Sequence, residues 1–190
     1  MVRRVAAAGG WREMSLLRSR VGDQAIRDVI ERTEARGLSP QRIRFWQLLL
    51  GLPARRADAW VRRERESTWA RRYRRSVDFD WTREDSIDDP LRPAASEDIA
   101  AMKLAAVAQR GSKKDFIDVF ALGRHFGLGD MLVSYRKKYG VEDVGHVLVA
   151  LAYFDDADRE RTPMLLQRQS WPDVKATIRG WLAGATRGRR

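Results

Sequence analysis

The chain has no cysteine, and only two of its 190 residues are histidine. Without cysteine, the protein forms no disulfide, holds no metal through a thiolate and has no cysteine nucleophile. Two histidines are also too few for the nitrogen and sulfur ligand sets that zinc prefers. Cysteine chemistry and a zinc site are therefore not expected.

Long apolar runs are also missing. The longest, from Val147 to Phe154, has eight residues, whereas a membrane-spanning helix needs about 20. The N-terminus carries two arginines and a short run of small residues, which is too weak a pattern for a signal peptide. The sequence predicts a cytoplasmic protein with no membrane partner.

Lysine is scarce, because only six of the 37 basic residues are lysine and the others are arginine. The net charge is +11, and residues 40–75 alone hold eleven arginines against three acidic residues. Such an excess predicts a polyanionic partner such as nucleic acid, although an arginine bias also follows from GC-rich coding. A hydrophobic content of 44% fits one globular domain, with or without an extension.

Helical spacing is visible in much of the chain. It predicts a helix over 21–36 and another over 41–50, whereas 53–75 has no clear period and gives Trp60 and Trp69 no packed role. Ser96 is a candidate N-cap for a helix with one apolar face, made of Ile99, Met102, Ala106 and Val107. Further helices are predicted at 113–125, at 130–139, from 141, and over 170–182 with Ser170 as the cap.

The stretch "SVDFD", residues 76–80, favours a strand. Side chains alternate along a strand, so Ser76, Asp78 and Asp80 would share one face, with the two aspartate Cα atoms about 7 Å apart. Carboxylate oxygens at that spacing can converge on Mg²⁺. The alternative is the solvated outer face of an ordinary surface strand.

Two basic clusters follow. Lys103 and Arg110 lie two turns apart on one side of the predicted helix, where they could meet a triphosphate or form a solvated stripe. In "RGSKKDFIDVF", residues 110–120, Lys113 and Lys114 precede Asp115, and Asp118 comes one turn later. Capping of a helix start and local ion pairs would account for this cluster equally well.

Three strings taken together resemble the AbiEii/AbiGii toxin family of nucleotidyltransferases. They are "RRSVDFD", "SEDIAAMKLAAVAQRGSKKDFIDVFAL" and "YRKKYGVEDVGHVLVALAYFDDAD", and the resemblance covers about residues 74–182. It implies a cytoplasmic bacterial protein of a toxin–antitoxin or phage-defence pair, with an antitoxin protein as partner. It also implies a polymerase-β-like fold with a helical C-terminal part, and transfer of nucleotides from an NTP to RNA, such as tRNA, with Mg²⁺.

The resemblance also implies roles for individual residues. Asp78 and Asp80 match the metal-binding and catalytic Asp-x-Asp, and Ser76 matches the small polar residue before it. Lys103 and Lys114 match lysines expected near the phosphates, with Arg110 beside them. Asp115 matches a carboxylate that acts as base or orients the site, and Asp118 matches a supporting one.

The chain departs from the family pattern in two places. No Gly-Gly-Thr precedes the Asp-x-Asp, and only 15 residues, 81–95, separate it from the helix at Ser96. The first departure removes a turn whose N–H groups approach phosphates, and the second leaves no room for the middle strands. We therefore interpret the chain as a truncated or decayed member, with 40–73 as a possible shifted reading frame.

The predicted fold class is α+β and predominantly helical, a remnant of the nucleotidyltransferase fold. The predicted parts are an atypical N-terminal segment (1–73), a core strand and loop (74–95), a helical region (96–184) and a flexible tail (185–190). The predicted function is that of a nucleotidyltransferase-like toxin, whose turnover is expected to be lost here because the Gly-rich phosphate turn and the middle strands are missing. The alternatives are a non-catalytic helical module that binds an antitoxin or RNA, and a nucleic-acid-binding protein driven by residues 40–75.

Overall fold

The structure, a computed structural model, describes residues 1–66, 96–163 and 169–186. Within these ranges the chain is helical and has no strand, which confirms the predominantly helical class. The strand predicted around Asp78 and Asp80 lies outside the described residues.

The N-terminal helices are α1 (Val2–Ala8), α2 (Trp11–Val21), α3 (Asp23–Arg32), α4 (Pro40–Leu50) and α5 (Ala54–Glu66). The C-terminal helices are α6 (Ser96–Gln109), α7 (Lys113–Tyr139), α8 (Gly145–Leu151) and α9 (Trp171–Thr186), with a 3-10 turn at Ala157–Arg159. Apolar side chains from both groups of helices form one core.

Helix α4 shows why the N-terminal part is well packed. Ser39 caps it by accepting a hydrogen bond from the Arg42 N–H at 3.3 Å, and Pro40 occupies the first turn, where its missing N–H costs nothing. The helix buries Trp46, whose indole N–H donates to the Ala6 carbonyl at 3.1 Å and ties α4 to α1.

Helix α5 forms in a stretch where the sequence shows no clear period. Its buried positions are Ala57, Trp60 and Val61, which have helical spacing but are hidden among arginines. Trp60 therefore has the packed role that the sequence did not reveal.

Arginines of the N-terminal helices bind the acidic stretch that follows α8. The Arg44 guanidinium contacts both carboxylate oxygens of Asp155 at 2.9 Å and one oxygen of Asp58 at 2.8 Å. Arg65 likewise reaches Asp156 at 2.7 Å. Because a two-pronged guanidinium–carboxylate contact fixes orientation as well as distance, these contacts hold α4 and α5 against the C-terminal part.

The C-terminal helices largely follow the sequence prediction. Helix α7 bends at Gly127, where φ is 75° and ψ is 151°, between the two predicted helices. Ser170 caps α9 through the Asp173 N–H at 3.2 Å, as predicted. Helix α9 continues to Thr186, which is buried and whose carbonyl accepts a hydrogen bond from Arg18. Residues 185 and 186, which the sequence assigns to a flexible tail, are therefore part of α9; residues 187–190 lie outside the described part.

No described helix combines the length with the apolar composition that a bilayer crossing requires.

Candidate functional site

The described part of the chain contains five of the predicted site residues, all on α6 and α7 or on the turn between them: Lys103, Arg110, Lys114, Asp115 and Asp118. The other three, Ser76, Asp78 and Asp80, lie outside the described residues. The predicted geometry between the Asp-x-Asp and the lysines is therefore not tested.

Helices α6 and α7 pack closely because α6 presents small side chains to its neighbour. Its buried residues are Ala100, Ala101, Leu104, Ala105 and Val107. Alanines let two helix backbones approach each other, and the short turn at 110–112 makes the helices run antiparallel at this end. This packing fixes the relative positions of polar side chains at the edge of the pair.

The predicted apolar face of α6 is partly wrong. Ile99 is 38% exposed and Met102 is 50% exposed, although both were expected in the core. The reason is that the alanine face, which carries less apolar surface, is the one that fits against α7. Ile99 and Met102 instead lie on the more exposed side of α6, as does Lys103.

Asp115 caps the start of α7. Its carboxylate accepts two hydrogen bonds from Arg110, at 2.7 and 2.8 Å, and one from the Ser112 hydroxyl at 2.6 Å. Ser112 in turn accepts from the Asp115 N–H, which completes a capping box. Burial alone would raise the pKa of Asp115, but the hydrogen bonds from Arg110 and Ser112 outweigh it and lower the pKa.

The capping explanation of this cluster is therefore confirmed for Asp115. It also accounts for Arg110, whose guanidinium is held by that carboxylate and is 67% exposed. In the described structure Arg110 is paired with Asp115 through two N–H donors, and its contact with a triphosphate stays a prediction.

Lys103 and Asp118 form the second ion pair between the two helices. The Lys103 ammonium lies 2.7 Å from Asp118 Oδ2, and each side chain is 31% exposed. Oδ2 itself is buried, and the Lys103 ammonium is the described group that contacts it. Asp118 is thus held in an ion pair that links the two helices.

The two neighbouring lysines differ sharply. Lys114 is exposed. Lys113 is 4% exposed; its ammonium donates to the Glu160 carbonyl and lies 5.3 Å from the centre of the Trp171 ring. Lys113 therefore has a structural role that ties α7 to the start of α9, and the sequence did not distinguish it from Lys114.

The carboxylates of Asp115 and Asp118 are the described groups that could help to hold the Mg²⁺ implied by the resemblance. No group of three or more His, Cys, Asp or Glu side chains that could hold a metal is found among the described residues. Asp115 has its oxygens engaged by Arg110 and Ser112. Asp118 is a carboxylate, the type of ligand that Mg²⁺ prefers, but its Oδ2 is buried and paired with Lys103.

Comparison with known proteins gives limited help. No family model and no solved structure matches the chain. An uncharacterized protein of Aquifex aeolicus is 45% identical over 69 residues, which is 35% of this chain. The matched segment spans about a third (34%) of that relative's length.

Proposed function

We propose that this protein is a nucleotidyltransferase-like toxin that transfers a nucleotide from an NTP to RNA, with α6 and α7 forming one wall of its site. The observation that carries the proposal is the Lys103–Asp118 pair, a partly exposed ion pair between α6 and α7 with the ammonium 2.7 Å from Asp118 Oδ2. The resemblance to the AbiEii/AbiGii family supplies the reaction class, and the Asp-x-Asp of residues 78–80 supplies the remaining carboxylates.

Asp118 is the better candidate for accepting a proton. In the transfer, an RNA hydroxyl oxygen attacks the α-phosphorus, the bond from that phosphorus to the β-bridging oxygen breaks, and pyrophosphate leaves. The hydroxyl proton needs a carboxylate that is free to receive it. Asp115 is fully buried and would first have to give up Arg110 and Ser112, whereas Asp118 is partly exposed and would have to exchange its contact with Lys103.

Lys103 is suited to contact the triphosphate. A lysine ammonium has three donors on a flexible stem, so its contact with Asp118 leaves capacity for phosphate oxygens. Asp78 and Asp80 would hold Mg²⁺, which would neutralise phosphate charge. Because no Gly-Gly-Thr turn precedes the Asp-x-Asp, the triphosphate is positioned less well and turnover is slow.

A labelled-NTP assay with Mg²⁺ and total tRNA tests the proposal. Wild-type protein incorporates label, and Asp78→Ala and Asp80→Ala variants lose the incorporation. Expression of the wild type without a partner protein slows bacterial growth, while expression of Asp78→Ala does not. Incorporation that persists in both variants would contradict the proposal.

The second candidate is a non-catalytic module that binds an antitoxin or RNA. One observation favours it: Lys103 and Arg110, two of the cations expected near the phosphates, are both paired with carboxylates. This candidate predicts RNA retention that weakens with salt, without any incorporation of label.

A further inference from the structure

Positive charge is concentrated in the first described range. Residues 1–66 carry fifteen arginines against eight acidic residues, a balance of +7, whereas residues 96–163 carry ten basic and eleven acidic residues. An excess of this size in one part of a protein attracts polyanions. The question is where on α1–α5 a polyanion would be held.

An open groove of about 360 Å³ lies between α1 and the turn after α3. The described residues that line it all have polar or charged side chains: Arg3, Arg32, Thr33, Glu34 and Arg36. Arg3, Arg32 and Arg36 are all exposed. Three guanidinium groups therefore border one groove, with a single carboxylate among them.

The groove is held by contacts that leave guanidinium donors available. Arg3 Nη2 donates to the Arg36 carbonyl at 3.1 Å, and Glu34 is shared by Arg36 and Arg63 at 3.3 Å each. Arg32 makes no ion pair with any described residue. Each guanidinium has five N–H donors, so these contacts use only a fraction of them.

The turn after α3 has a fixed shape. Glu34 and Ala35 adopt left-handed φ angles of 51° and 54°, which non-glycine residues keep only when their surroundings impose them. Here the Ala35 N–H donates to the Ile30 carbonyl at 2.9 Å, and Ala35 is buried. The arginines on either side of the turn are thus presented from a rigid support.

We propose that this arginine groove binds the phosphodiester backbone of a nucleic acid. A protein partner is less suited, because the centre of a protein–protein interface is apolar and poor in charge. The groove has no apolar lining residue, and interfaces with nucleic acids are polar and strongly positive. Guanidinium groups also match phosphate oxygens in a two-pronged geometry.

The proposal goes beyond the transfer site, since binding is measured without NTP and needs neither Lys103 nor Asp118. The test is fluorescence anisotropy of the full chain with a short RNA hairpin, a DNA duplex and polyglutamate. The groove variant is Arg3→Gln/Arg32→Gln/Arg36→Gln. The control variant, Arg20→Gln/Arg124→Gln/Lys137→Gln, removes the same charge from exposed residues away from the groove.

The groove variant is expected to bind RNA or DNA at least about tenfold more weakly, with a salt slope smaller by about 2 to 3. The control variant stays within about twofold of wild type. Binding of both RNA and DNA indicates backbone recognition alone, and a preference for one names the nucleic acid that the groove favours.

Three results overturn the proposal: equal weakening in both triple variants, no binding of either nucleic acid, or groove-dependent binding of polyglutamate alone. Because Arg3 also supports the turn, Arg32→Glu is compared with Arg20→Glu as a second pair. Arg32 has no ion pair to lose within the described ranges, so weakened binding by Arg32→Glu with unchanged thermal unfolding assigns the effect to the groove.

Discussion

Asp115 and Asp118 lie one helical turn apart on α7, and their surroundings give them different tasks. Asp115 is fully buried and accepts hydrogen bonds from Arg110 and Ser112. Asp118 is partly exposed and contacts Lys103. The first residue stabilises the start of α7, and the second links α7 to α6 through Lys103.

This difference predicts separate effects on stability. Asp115→Asn removes the charge that Arg110 and Ser112 contact, so the free energy of unfolding falls by about 1–2 kcal/mol. Asp118→Asn breaks only a partly exposed ion pair and costs less than about 1 kcal/mol. Urea unfolding of the two variants measures both values, and a larger loss for Asp118→Asn would reverse the assignment.

Individual site residues were predictable from the sequence only in part. The string "SKKD" indicated a capped helix start, and Ser112 and Asp115 form that cap. Which lysine is buried depends on Glu160 and Trp171, about 50 residues further along, so spacing around Lys113 and Lys114 holds no signal for it. The pairing of Lys103 with Asp118 likewise depends on the register between two helices.

At the scale of elements, Gly127 separates the two halves of α7. Its φ of 75° and ψ of 151° lie in a region that is essentially restricted to glycine. No atom lies within 4 Å of the position that a Cβ would take there. The kink therefore requires backbone angles that glycine alone adopts readily, and steric crowding of a side chain plays no part in it.

Gly127→Ala is expected to lower the free energy of unfolding by about 1–3 kcal/mol because of backbone strain. Gly129→Ala, two residues on, is the matched control: its Cβ also meets open space, and it lies in the helix, where alanine is favoured by up to about 1 kcal/mol. Chemical denaturation measures the two variants. Equal effects would show that α7 does not need a glycine conformation at the kink.

Asp143 joins the starts of two helices, α2 and α8. Its carboxylate accepts from the Gly145 N–H at 2.7 Å and from the Arg12 N–H at 3.3 Å. A backbone hydrogen bond from Trp11 also contributes to its lowered pKa. One side chain thus satisfies N–H groups that neither helix can satisfy internally.

Asp143→Ala is expected to cost about 2–3 kcal/mol of unfolding free energy, since several charge-assisted hydrogen bonds are lost. Glu142→Ala is the control, because Glu142 is 82% exposed and contacts Arg12 only at 3.5 Å; its effect stays within about 0.5 kcal/mol. Thermal and urea unfolding give both values. Similar losses of unfolding free energy in the two variants would contradict the role of Asp143 in linking the starts of α2 and α8.

The sequence predicted helices correctly where a capping residue and the apolar periodicity indicate the same helix start. Ser39 with Pro40, and Ser170 with Asp173, mark helix starts in both sequence and structure. Prediction failed where arginines outnumber the apolar positions, as around Trp60 in α5. It also failed on α6, where alanines rather than Ile99 and Met102 occupy the buried side.

At the scale of the whole molecule, acid should weaken the fold through several carboxylates at once. Arg18 lowers the pKa of Asp23. Burial alone would raise the pKa of Asp143, but hydrogen bonds from backbone N–H groups outweigh burial and lower it. Burial would likewise raise the pKa of Asp158, but hydrogen bonds from Lys175 and Trp171 lower it. A carboxyl whose pKa is lower in the folded state binds fewer protons there than in the unfolded chain, so stability falls as pH falls.

The free energy of unfolding therefore declines below about pH 4, where unfolded carboxyls begin to take up protons, and continues to decline through the lower folded-state pKa values. Asp143→Ala shows a shallower decline than wild type in the same range, since one of the linked groups is absent. Urea unfolding between neutral and acidic pH measures both curves. If the free energies of unfolding of wild type and Asp143→Ala fall in parallel with pH, Asp143 does not contribute to the acid sensitivity.

The sequence indicated a basic, mainly helical protein, and its resemblance supplied a reaction class. It did not indicate that the N-terminal arginines bind the acidic stretch after α8, because Arg44 and Asp155 are 111 residues apart. It also placed the arginine excess in residues 40–75, whereas the groove is built by Arg3, Arg32 and Arg36. Both features depend on which helices pack together.

The central claim is that Asp118 serves nucleotide transfer rather than the fold. The most direct test is the rate of label transfer from NTP to RNA by Asp118→Asn, compared with Asp130→Asn, an exposed carboxylate on the same helix. We expect a loss of about a hundredfold or more in the first variant, with unfolding free energy nearly unchanged, and a wild-type rate in the second. Equal rates for Asp118→Asn and wild type would contradict the claim.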